Sequence, residues 1–213
     1  AEGREFEPRL PLKKTIERVY PQDASFFYIE RIMKPVFLVG YMGAGKTTVG
    51  KVLAEQLGWE FMDLDVFIEN RRHKSIKEIF DTYGEEEFRR IESRLLKEVC
   101  DFQDTVIACG GGTPCHSNNM DIMKSKGMVV YLNVPVSILF SRLSRPRSKA
   151  KRPVIASKTD DELMAFIEKN ISEREIFYNQ ANLIFDTSEI ETAAETRVTV
   201  ARLVEKLKKE MNF

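Results

Sequence analysis

The chain's 213 residues carry 33 Lys and Arg against 33 Asp and Glu, without the basic excess that a constitutive nucleic-acid binder needs. That length suits one α/β domain with a sizeable core, and no apolar run approaches a membrane span. The three cysteines, Cys100, Cys109 and Cys115, form no CxxC pair and the only histidines are His73 and His116; this pattern argues for reduced thiols in a cytosolic protein and against a zinc site.

Residues 1–32 hold Pro8, Pro11 and Pro21 and a balanced six basic and six acidic residues. A transit peptide would be poor in acids, and a secretory signal would have an apolar core. Met33 is a candidate natural start, which makes the preceding segment a leader, tag or fusion remnant. An extension packed through Phe26-Phe27-Tyr28 is the alternative. No function is assigned to this segment.

Val36-Phe37-Leu38-Val39 reads as a buried parallel strand. It runs into Gly40-x4-Gly45-Lys46-Thr47, the spacing of a phosphate-binding Walker A loop. Glycines let successive N–H groups curl around an anion, Lys46 adds a point charge at the terminal phosphates, and the Thr47 hydroxyl is a magnesium ligand. A helix then runs to about Leu57, with Val49, Val52 and Leu53 on its apolar stripe, and Gly58 ends it.

Trp59 to Asp63 reads as a second strand, ending in Asp63-Leu64-Asp65 over the ligand crevice of a doubly wound sheet. In an extended chain the two carboxylates point the same way, one toward a metal or its water, the other toward a substrate hydroxyl. Equally, an Asp here caps the next helix. Ser75-Ile76-Lys77-Glu78 is a capping box for a short helix ending near Gly84. A second helix starts at Glu85, and Arg89 and Glu92 can pair on its flank.

Thr105 to Cys109 is a third strand and leads into Gly110-Gly111-Gly112, a run that suits close approach of a substrate to the backbone. Met128 to Leu132 is the fourth strand, and a helix opens at Pro135. The stretch from Arg142 to Pro153 is strongly basic and nearly free of apolar residues. It is expected to be a mobile surface loop, either a nucleic-acid patch or, as favoured here, a lid bringing arginine to transferring phosphates. Thr159-Asp160-Asp161-Glu162 caps a long helix. Arg174 lies eleven residues after Leu163, about 20° from it on the apolar stripe. An arginine there needs an anion, either a structural carboxylate or that of a substrate. Leu183 to Thr187 is the fifth strand and Ala193 to Lys209 the last helix. Five strands alternating with helices make one three-layer α/β/α domain, residues 33–213, with a five-stranded parallel sheet.

From about residue 34 onward these motifs together resemble shikimate kinase, in the nucleoside-monophosphate-kinase-like group of phosphate-loop proteins. The resemblance rests on Gly40 to Thr47, Asp63-Leu64-Asp65, Phe88-Arg89-x-x-Glu92, Gly110-Gly111-Gly112, Arg152-Pro153 and Glu173-Arg174-x-x-x-Tyr178. It implies transfer of the γ-phosphoryl group of ATP to the 3-hydroxyl of shikimate. Asp65 would hold that hydroxyl and assist its deprotonation. Arg89 and Arg174 would clamp the carboxylate, with Glu92 steadying Arg89 and Gly110, Gly111 and Gly112 beside the ring. Gly43, Ala44, Gly45, Lys46, Thr47 and Thr48 would bind the nucleotide. Lys46 and Arg152, in a lid at about residues 144–158, would neutralise the γ-phosphoryl group. Thr47 would bind Mg2+ directly and Asp63 through water. The second lid arginine, over adenine, is Arg145 or Arg142. Expected partners are therefore ATP, Mg2+ and shikimate, with no nucleic acid, no membrane and a monomeric, cytoplasmic chain. The rival readings are another small-metabolite kinase of this fold, such as a gluconate kinase, and, from other classes, a nucleotide-binding switch or a nucleic-acid module.

Overall fold

The structure, a computed structural model, describes residues 32–150 and 152–212. Residues 1–31, on which the leader expectation falls, lie outside the described residues. Met33–Phe213 forms one compact unit. Its strands are β1 (Val36–Val39), β2 (Glu60–Asp63), β3 (Thr105–Ala108), β4 (Met128–Asn133) and β5 (Leu183–Asp186). They form one sheet in the order β2-β3-β1-β4-β5, every pair parallel. Val36 pairs with Val106 on one side and Met128 on the other, which seats β1 at the centre.

Alternation along β1 divides the core between the two faces of the sheet. Val36 and Leu38 join Val49, Leu53, Leu139, Leu163 and Leu203, drawn from α1 (Lys46–Leu57), α5 (Val136–Ser144), α8 (Asp160–Tyr178) and α9 (Ala193–Met211). Phe37 and Val39 join Ile68, Ile79, Leu96 and Met123, from α2 (Leu64–Arg72), α3 (Ile76–Val99) and α4 (Asn119–Lys126). With both faces covered, β1 reads as an unbroken apolar run.

The Ser75 capping box forms, and Gly84, with a non-helical φ of 77° and ψ of 174°, breaks the helical run where the sequence places a boundary, so α3 is two helical segments joined at a kink. One stretch differs from the sequence expectation. The basic stretch is not an open loop. It folds into α6 (Pro146–Ala150) and α7 (Pro153–Ala156), and the wholly buried Ile155 ties α7 to the core. Helix α4 has little apolar periodicity in sequence because one of its buried residues is Asn119.

Candidate active site

The parts of the site are set at the C-terminal ends of adjacent strands, where ligands bind in an open α/β sheet. After β1 the chain turns through Gly45, whose φ of 92° caps α1 in the left-handed region. Lys46 Nζ donates to the carbonyls of Gly40 at 2.7 Å and Tyr41 at 3.0 Å. Thr47 Oγ1 donates to Asp63 Oδ2 at 3.0 Å. A cavity of about 640 Å³ opens over this loop, lined there by Gly43, Gly45, Lys46, Thr47 and Thr48 and across from it by Asp63 and Asp65. Ala44 does not line it. That residue is buried, its N–H donates to the Tyr41 carbonyl, and its own carbonyl accepts from Thr187 Oγ1.

Asp63 and Asp65 reach the cavity together, though not by strand alternation. β2 ends at Asp63, which caps α2 by accepting from the Asp65 N–H at 3.2 Å, and Asp65 stands in the first helical turn. The cap and the cavity-facing carboxylates are thus features of the same two residues.

The three glycines after β3 lie against three charged side chains. A Cβ on Gly110 would lie 3.0 Å from Asp65 Oδ1; on Gly111, 3.5 Å from Arg174 Nη1; on Gly112, 2.8 Å from Arg89 Nη2. Three successive residues without side chains therefore face the carboxylate and the two guanidinium groups in turn. Gly111 also faces the phosphate loop, with Gly40 O at 3.6 Å and Met42 N at 3.7 Å from the same kind of point. The two arginines differ in their partners. Arg89 pairs with the buried Glu92 at 2.9 Å and with Glu85 at 3.1 Å. Arg174 lies over the Tyr41 ring at 5.7 Å, and among the described residues no carboxylate forms an ion pair with it. The cavity lining includes Gly110 and Gly111 but stops short of Gly112, Arg89 and Arg174.

Burial sets the electrostatics. It pushes Asp65 up to about 6, helped by the charges of Asp63 and Glu92 and opposed by Lys46. It pulls Lys46 down to about 8 against the attraction of Asp65, Cys109 and Asp63. Arg152 lines the cavity and donates to Ser148 O at 3.0 Å, and burial lowers its pKa too. Arg145 also lines the cavity and pairs with Glu191 at 2.9 Å. Arg142 donates to the carbonyls of Gly43, Thr187, Ser188 and Ile190, fastening the end of α5 to both rims of the cavity.

The family model for shikimate kinase matches residues 42–208. A shikimate kinase from Phocaeicola vulgatus is 44% identical over 177 residues, 83% of this chain and 100% of that one. One from Parabacteroides distasonis is 48% identical over 163 residues, 76% of this chain and 93% of that one. The chain belongs to the shikimate kinase family. Solved shikimate kinases share its fold. That of Bacteroides thetaiotaomicron superposes with a TM-score of 0.79 at 44% identity, covering 83% of this chain and 99% of that one. That of Acinetobacter baumannii in complex with shikimate gives 0.71 at 32% identity, covering 84% and 94%.

Three residues of this shikimate kinase fold touch the site's groups although the sequence assigned them no role in it. Tyr41 occupies a variable position of the phosphate loop and lies under Arg174. Tyr178, the last residue of the Glu173-Arg174-x-x-x-Tyr178 motif, donates its hydroxyl to Gly111 O at 2.6 Å. Thr113 donates to Glu92 Oε1 at 2.5 Å. Near α9 the cavity is lined by Ile190, Glu191, Thr192, Ala193 and Thr196, a segment whose sequence signal is the Thr192-x-x-Glu195 capping box that starts α9. Among the described residues no cluster of three or more His, Cys, Asp or Glu could hold a metal. Thr47 and Asp63 supply two hard oxygens instead, a set that fits magnesium held mainly by phosphates and water. Among the described residues no helix is long and apolar enough to cross a membrane.

Proposed function

We propose that this chain transfers the γ-phosphoryl group of ATP, the phosphoryl donor of its family, to the 3-hydroxyl of shikimate, giving shikimate 3-phosphate, and that residues 33–213 are the kinase domain with its lid at about 144–158. The reading is carried by one observation: Asp65, Arg174 and Arg89 face three consecutive glycines beside the phosphate loop. A small acid with one carboxylate and several hydroxyls complements that row. Arg174, which has no carboxylate of its own among the described residues, takes one edge of the substrate carboxylate and Arg89 the other. Asp65 holds the accepting hydroxyl and takes its proton, which a carboxylate with a pKa of about 6 does well near neutral pH.

Lys46 leaves the carbonyls of its own loop and, with Arg152, neutralises charge building on the transferring group. The amides of Gly43, Gly45, Thr47 and Thr48 cradle the phosphates at the start of α1. Thr47 and, through water, Asp63 would hold Mg2+, whose chemistry is to neutralise and align the phosphate oxygens. Arg145 borders the nucleotide. A cytoplasmic location agrees with three free thiols, and the chain is taken to act as a monomer. ADP release with ATP and Mg2+ tests the whole reading. Turnover is expected with shikimate and not with gluconate or nucleoside monophosphates; comparable turnover with gluconate would overturn the assignment.

A further inference from the structure

Glu92 is a carboxylate with 1% exposure, and its two oxygens have different partners. Oε2 accepts from Arg89 Nη1 at 2.9 Å, and Oε1 accepts from Thr113 Oγ1 at 2.5 Å. Thr113 is itself wholly buried and rigidly set: its N–H donates to Gly110 O, and its carbonyl accepts from the buried Asn119 Nδ2 at 2.9 Å. The other partner of Arg89, Glu85, has a side chain 63% exposed, so that pair contributes little fixed orientation. The direction of the Arg89 guanidinium therefore depends on Glu92, and that of Glu92 on one hydroxyl.

We propose that Thr113 is a positioning residue for acceptor binding: its buried hydroxyl locks the Glu92 carboxylate, which holds Arg89 toward the acceptor's carboxylate. The proposal rests on the carboxylate-clamp reading above. Without the hydroxyl, one oxygen of a buried carboxylate loses its donor, and the carboxylate must rotate to find another, which loosens Arg89.

The test compares Thr113→Val, which keeps the volume and removes the donor, with Thr113→Ser, Arg89→Ala and the Val/Ala double variant in the full chain. Thr113→Val is expected to raise the KM for shikimate about tenfold or more, with the KM for ATP nearly unchanged and the melting temperature of the free protein lowered by only a few degrees, the cost of the carboxylate oxygen left without its donor. Thr113→Ser should restore the KM to within about twofold, and in the Arg89→Ala background Thr113→Val should add almost nothing. An unchanged KM in Thr113→Val beside a raised one in Arg89→Ala overturns the role of Thr113 alone. An unchanged KM in both overturns the clamp, and this proposal with it. Equal loss for both substrates together with a lowered melting temperature assigns Thr113 to packing and also overturns the proposal.

Discussion

Asp65 and Lys46 show how far burial alone prepares single residues for chemistry. Each loses water, and each is drawn toward neutrality, the acid up to about 6 and the amine down to about 8. For Asp65 the sign of the stability effect is definite. Between the ordinary value of 3.8 and about 6 the folded chain binds more proton than the unfolded one, so this group costs stability as pH rises through that window. Asp65→Asn should therefore raise the melting temperature of the ligand-free protein at pH 7, the gain fading near pH 4, while abolishing most turnover; a lowered melting temperature at pH 7 would contradict the account. In the wild-type chain kcat/KM for shikimate should fall about tenfold per pH unit below about pH 6, as the carboxylate is protonated. Lys46→Ala should reduce kcat by at least a hundredfold in the ADP-release assay, since charge stabilisation is the main task at this centre. Near-normal turnover would remove Lys46 from the mechanism.

Elements place these residues, and the legibility of each element followed how local its cause is. The turn at Gly45 and the capping boxes at Ser75 and Thr159 are set by neighbours within a few residues, and all form. The break at Gly84 ends one helical segment and starts the next, as the glycine predicts, and packing of Phe88, Ile91 and Leu95 after it and Ile79 before it keeps both segments in one core. Gly84 occupies a conformation open essentially to glycine alone, with open space around its missing Cβ. Gly84→Ala should thus cost about 1–3 kcal/mol of stability, purely through the backbone, as read from a denaturant midpoint, and leave the KM for shikimate unchanged. The glycine row after β3 behaves differently. A Cβ at Gly112 would sit 2.8 Å from Arg89 Nη2, so Gly112→Ala should raise the KM for shikimate about tenfold or more by displacing that guanidinium, with ATP binding spared. A shift confined to ATP would show that Gly112 serves the nucleotide instead. The basic stretch lacks an apolar run and so looks open in sequence; one anchor just beyond it, Ile155, suffices to fold α7 onto the core.

At the scale of the whole molecule, the phosphate loop is contiguous in sequence, whereas the residues around the glycine row come together only in the fold. One loop carries Gly40 to Thr48, so its chemistry could be read directly. The surroundings of the glycine row are assembled from contacts such as Thr113 to Glu92 and Tyr178 to Gly111, 21 and 67 residues apart, which no spacing rule foresees. The sheet order β2-β3-β1-β4-β5 supplies the missing link by setting the ends of β2 and β3 beside the phosphate loop. The glycine row faces Asp65, Arg174 and Arg89 in turn, and Gly111 also faces the phosphate loop. The most direct measurement of that arrangement is kcat/KM for shikimate against its methyl ester, in the wild-type chain and in Arg174→Ala. The wild-type chain should prefer the free acid by about a hundredfold, the worth of charge-assisted hydrogen bonds to a carboxylate, and Arg174→Ala should lose most of that preference. Equal use of acid and ester by the wild-type chain would contradict the account.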